Sequence, residues 1–72
     1  MKQEILTLLE DSLPLVDFNS DFLFAELDSL GIAQILMTLA MKYNIPLGAK
    51  DVTPKNFRNL DSLVALVLSK MK

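Results

Sequence analysis

Two serines in this chain stand between an aspartate and a leucine: Asp28-Ser29-Leu30 in LFAELDSLGIAQIL and Asp61-Ser62-Leu63 in RNLDSLVALVL. They matter because the usual reactive residues are missing. The chain has no His and no Cys. The commonest general base, the commonest transition-metal ligand and the thiolate nucleophile are therefore absent. A nucleophilic triad, a zinc centre and a disulfide staple fall away with them. The carboxylates read as helix caps and loop residues, so no metal site and no catalytic pair is expected. Covalent chemistry on Ser29 or Ser62 needs an attached group or a partner enzyme, and the chain by itself is not expected to be an enzyme.

A serine at the start of a helix lies beside free backbone amides and the positive end of the helix dipole, a setting that suits a phosphate. Both Asp-Ser-Leu copies open a helical pattern, so local chemistry does not separate them. The downstream residues do. Residues 28–43, DSLGIAQILMTLAMKY, form the longest helical pattern, with Asp28 as N-cap. Asn44 stands where a left-handed C-terminal residue is wanted, and Pro46 bars continuation. Ser62, by contrast, leads only LVALVLSKMK, which leaves no room for a recognition helix and a loop after it.

The remaining elements position that long helix. Residues 2–13, KQEILTLLEDSL, place Ile5, Leu6, Leu8, Leu9 and Leu13 at helical spacing, and Pro14 stops the helix. PLVDFNSDFLFAEL has no clean period and is expected to be a long loop pinned by Phe18, Phe22, Leu23 and Phe24. Thr53-Pro54 reads as N-cap and first residue of a short helix through about Asn59. Asp61 is expected to cap a last helix with Leu63, Leu66 and Val67 inward and Lys70 and Lys72 near its end, where the dipole favours cations. Nothing reads as a strand. The expectation is a single all-α domain over residues 1–72, a small four-helix bundle of three longer helices and one short one.

At about 100° per residue, Ile32, Ile35, Leu36, Leu39 and Tyr43 share one face of the long helix, the expected core stripe. Gly31, Gln34, Thr38 and Lys42 are expected to face water. A third strip, Leu30, Ala33, Met37 and Met41, exceeds what so small a domain can bury. Ala33 is expected to lie under the acidic loop. Leu30 and Met37, flanking the serine, are expected to dock a partner, and Met41 fits either reading.

The charge is uneven. Residues 1–28 hold seven of the nine acids and a single base, Lys2. The net charge of −2, with only Lys55 and Arg58 on the short third pattern, argues against nucleic acid. MKQEIL reaches an acid by residue 4 with no apolar stretch behind it, so no signal peptide is expected. No apolar run approaches membrane-spanning length. A cytoplasmic monomer without membrane insertion is the expectation.

Taken in order, LF…LDSLGIAQILMTLAMKYNIPL and TPKNFRNLDSLVALV resemble the acyl carrier protein family, over roughly residues 2–70. The resemblance implies an acyl-carrier-like fold with 4'-phosphopantetheine on Ser29, transferred from coenzyme A by a phosphopantetheinyl transferase. It implies acyl cargo held as a thioester on the arm's thiol, in fatty-acid, polyketide or specialised acyl transfer. Asp28 would cap the helix and touch magnesium in the transferase complex. Loading and transfer enzymes would be the other partners, meeting Leu30, Ala33, Met37 and Met41. A D-alanyl or other aminoacyl or peptidyl carrier shares the same context. A degenerate carrier that only makes protein contacts is the further alternative, against which the intact motif speaks.

The chain departs from the family in two places. Carriers of this family usually bear several acids along the helix after the serine, whereas here residues 29–43 contain one charge, Lys42. The motif is usually preceded by Gly, and here Glu26-Leu27 stands there. With acidity moved to Asp17, Asp21 and Glu26, docking is expected to be more apolar and steered from the loop side. A specialised carrier with dedicated partners is implied, rather than the bulk fatty-acid carrier.

Overall fold

A computed structural model describes residues 1–71; the expectation for Lys72 lies outside the described residues. In chain order the elements are α1 (Lys2–Ser12), α2 (Leu23–Glu26), α3 (Ser29–Tyr43), a single 3-10 turn (Ala49–Asp51) and α4 (Leu60–Lys70). The described residues contain no strand. Over the described residues the fold is an all-helical bundle with three longer helices and one short one, but the short one is not where the sequence places it.

The termini of the long helices follow from local chemistry. The last turn of α1 closes with the Leu13 amide on the Leu9 carbonyl, 2.8 Å, before Pro14 denies the next donor. At the start of α3, the Asp28 carboxylate accepts from the Gly31 amide at 2.7 Å. At its end Asn44 adopts φ 53° and ψ 51°, the left-handed conformation that asparagine tolerates, and Ile45 returns its amide to Ala40.

Two expectations about short elements are overturned. The stretch after Thr53 is one hydrogen-bonded turn and not a helix. The Thr53 hydroxyl accepts from the Asn56 amide and its carbonyl from the Phe57 amide, both at 3.0 Å. The chain then leaves helical geometry: the Arg58 carbonyl accepts from the Leu23 amide and Asn59 is extended at φ −155°. In exchange, the expected long loop contains α2, one turn of helix that carries fully buried Leu23. Of the loop's aromatics, Phe18 is buried and Phe24 packs on the core, but Phe22 is 50% exposed and pins nothing.

The core joins Ile5 and Leu9 of α1, Phe18 and Leu23, Ile35 and Leu39 of α3, Ile45, Phe57, and Leu60, Leu63 and Val67 of α4. α1 packs against both α3 and α4. Glu4 accepts from the Tyr43 hydroxyl, so the start of α1 meets the end of α3 and the two run antiparallel. Lys2 pairs with Asp61 at 2.8 Å, so α1 and α4 start side by side. The far end of α4 is tied down by Lys70 on Asp51, 3.1 Å. This frame holds the start of α3 beside the end of α1. Among the described residues, no helix is long and apolar enough to cross a membrane.

Candidate functional site

Ser29 is the first residue of α3 and is exposed. Its neighbour Asp28 uses one carboxylate oxygen on the Gly31 amide and its own carbonyl on the Ile32 amide, 3.0 Å. A helix leaves its first amides without intrahelical partners, and here those of Ser29 and Leu30 remain for an anion at the serine. The site therefore fits a phosphate ester: an accessible hydroxyl, two amides, and the positive end of a 15-residue helix.

Ser62 is built differently. Asn59, and not Asp61, caps α4. The Asn59 side chain accepts from the Ser62 amide at 2.9 Å, and the Ser62 hydroxyl accepts from the Asn59 amide at 2.9 Å. That hydroxyl also donates to the Asn59 carbonyl at 2.8 Å. It is the third-position partner of a capping box and is fully engaged. Asp61 points outward instead, to Lys2. Asn59 stands three residues before Ser62, the capping-box spacing, a signal in the sequence that the nearer Asp61 obscures.

The faces of α3 also differ from expectation. Ile35 and Leu39 are fully buried, with Ile32, Leu36 and Tyr43 packed beside them, as the core stripe requires. Directly opposite, at 100° per residue, lie Leu30, Met37 and Met41, which are 75%, 59% and 77% exposed. Ala33 is exposed too, so the loop does not cover it. The third strip is therefore the outward face of α3. Gln34 and Lys42 are exposed beside it, but Gly31 is buried, correcting its assignment to the watered side. A Cβ on Gly31 would come within 3.2 Å of the Asp28 carboxylate and 3.4 Å of Leu27. The missing side chain lets Leu27 and the capping carboxylate close over the helix start.

Beside Ser29 opens a cleft of about 300 Å³ with Leu13, Val16, Leu27 and Leu30 as its apolar lining and the carboxylates of Glu26 and Asp28 as its charges. The sequence gives no sign that Leu13 and Val16 are neighbours of the serine. They arrive there because α1 ends against the start of α3. No family model, curated protein or solved structure matches this chain.

Two parts of the bundle hold perturbed titrating groups, both away from Ser29. Tyr43 is pushed up to about 12 by burial and by its hydrogen bond to Glu4, which is correspondingly held below the usual carboxylate range. The Gly48 amide, donating at 3.0 Å, and Lys70 hold Asp51 below its ordinary value. These groups fasten the ends of α3 and α4 and are structural.

Proposed function

We propose that this protein is a carrier that holds its cargo on a 4'-phosphopantetheine arm at Ser29. The observation that supports it is the contrast between the two Asp-Ser-Leu serines. One hydroxyl is exposed at the positive end of the longest helix, and the other is consumed by a cap. In this reading the Ser29 oxygen forms the phosphate ester with the arm delivered from coenzyme A by a phosphopantetheinyl transferase. The amides of Ser29 and Leu30 face its negative charge, and Asp28 keeps the helix start ordered by holding Gly31. The arm, when bound, supplies the thiol that a chain without Cys lacks, and with it a thioester for acyl or aminoacyl cargo.

The outward strip of Leu30, Ala33, Met37 and Met41 is the surface on which this reading lets loading and transfer enzymes dock. It is uncharged, so recognition rests on apolar fit, and Glu26 and Asp28 beside the serine supply the attraction for a basic partner. The reading makes the chain a substrate of other enzymes and not a catalyst.

The test is direct. The purified apo-protein is incubated with coenzyme A, magnesium and a broad-specificity phosphopantetheinyl transferase, and its intact mass is recorded. A gain of one arm, lost in Ser29→Ala and kept in Ser62→Ala, is the expected result. No gain with a transferase active on a control carrier would overturn the proposal.

A further inference from the structure

A second cleft lies away from the serine, between the loop that leads into α2 and the turn that leads into α4. It measures about 540 Å³ and is lined by Asp21, Phe22, Pro54, Lys55 and Arg58. Its apolar surface is the half-exposed Phe22 ring and Pro54. Its charge is a surplus of one cation: Lys55 and Arg58 against Asp21. The ion pairs of the described residues, Lys2 with Asp61 and Lys70 with Asp51, use neither cation. In a chain of net charge −2, whose first 28 residues are strongly acidic, this is a place where side-chain cations outnumber the acid beside them, which favours an anion.

The cleft is framed by backbone. The Leu23 amide donates to the Arg58 carbonyl at 2.6 Å and joins the two segments. The Phe22 amide is held by the Ser20 hydroxyl at 3.1 Å, and the turn carrying Lys55 is closed on Thr53 and anchored by fully buried Phe57. Ring and cations thus sit on two connected, fixed loops. A polyphosphate would meet Asp21 with more charge than two cations neutralise. A short apolar chain ending in one carboxylate matches both the ring and the single surplus charge, with the guanidinium offering two parallel donors to that carboxylate.

Building on the carrier reading, we infer that this cleft receives the free carboxylate end of a dicarboxylic acyl cargo attached through its other end to the Ser29 arm. Reach allows it. α2 advances only about 1.5 Å per residue and the flanking residues at most about 3.8 Å, so the Cα atoms of Phe22 and Ser29 are no more than about 20 Å apart. An extended pantetheine arm covers a comparable span. The cations make this cleft selective: a neutral acyl chain of the same length gains nothing from Lys55 and Arg58.

The experiment loads the apo-protein from glutaryl-coenzyme A and, separately, from pentanoyl-coenzyme A. Amide 15N–1H spectra are compared with those of protein bearing the bare arm. Glutaryl cargo is expected to shift the amides of Phe22, Lys55 and Arg58, pentanoyl cargo to leave them in place, and Lys55→Gln with Arg58→Gln to reduce the glutaryl shifts several-fold at unchanged mass gain. Equal shifts for both cargoes, no shifts, or shifts that persist in the double variant would overturn the inference. If no arm is accepted at all, the carrier reading fails, and the cleft is then tested alone by titrating monomethyl glutarate into the apo-protein. Saturable shifts at the same three amides that the double variant abolishes support the carboxylate site, and their absence overturns it.

Discussion

Asn59 and Ser62 exchange three hydrogen bonds across a single turn, and in doing so they take the second Asp-Ser-Leu serine out of solution chemistry. Ser62→Ala removes the side chain's half of the capping box and is expected to cost about 1 kcal/mol, lowering the melting temperature by about 5 °C. Ser29→Ala removes an exposed hydroxyl that makes no contact of this kind and is expected to leave the melting temperature within a degree or so. Thermal unfolding of the two variants side by side checks this, and a larger loss for Ser29→Ala would contradict the assignment.

The opposite faces of α3 predict opposite sensitivities. Leu39→Ala empties a fully buried position and is expected to destabilise by about 2–5 kcal/mol. Met37→Ala and Met41→Ala truncate exposed side chains and are expected to stay within about 0.5 kcal/mol of the parent. Urea titrations measure both. A core-sized loss at Met41 would mean that the outward strip is covered in solution.

Tyr43 is the chain's one tyrosine, and there is no tryptophan, so its ionisation can be followed by ultraviolet absorbance alone. Its native value of about 12 exceeds the ordinary 10.0 because burial, and then Glu4, disfavour the phenolate. A raised value stabilises the fold fully below the unfolded value, and that contribution is lost as pH climbs through the folded one. The expected midpoint is about 12 in the native protein and about 10 in denaturant. Glu4→Gln should lower the native midpoint only part of the way, because burial remains the larger cause.

On the acid side Asp51 contributes beside Glu4. Its value is depressed from 3.8, first by the Gly48 amide and then by Lys70. A depressed carboxylate stabilises the fold above its unfolded value and loses that contribution as pH falls through the folded one. Asp51→Ala is expected to cost about 1–3 kcal/mol at neutral pH and less in strong acid, where the parent has already lost the interaction. Unfolding midpoints in urea at neutral pH and in strong acid give the comparison. A cost that is the same at both would show that packing, and not charge, is what Asp51 contributes.

Much of the bundle is legible along the chain. The periodicity of residues 2–13 and 28–43 and the left-handed stop at Asn44 come from interactions within a few residues. So does the Asp28 cap, and each of these stands in the structure. The short elements are not legible in the same way because they are not local. Thr53 caps its turn as its type suggests, but the turn does not grow into a helix, and the Arg58 carbonyl after it pairs with the Leu23 amide from another part of the chain. Gly31 looks like a surface residue on a helical wheel. It is buried because Leu27, just ahead of the cap, lies over it and Leu13 arrives beside it from the end of α1.

By itself, then, the sequence determined the helical class, the ends of α1 and α3, which rest on backbone capping and hydrophobic period, and the candidacy of Ser29, which rests on the long helix that follows it. The Asn59 capping box, a contact within one turn, decided that Ser62 has no free hydroxyl, and only tertiary packing decided which face of α3 looks outward. It alone brought Leu13 and Val16 to the serine and Lys55 and Arg58 to Phe22. Those outcomes depend on which amide finds which carbonyl across the fold, and sequence separation carries no record of that choice.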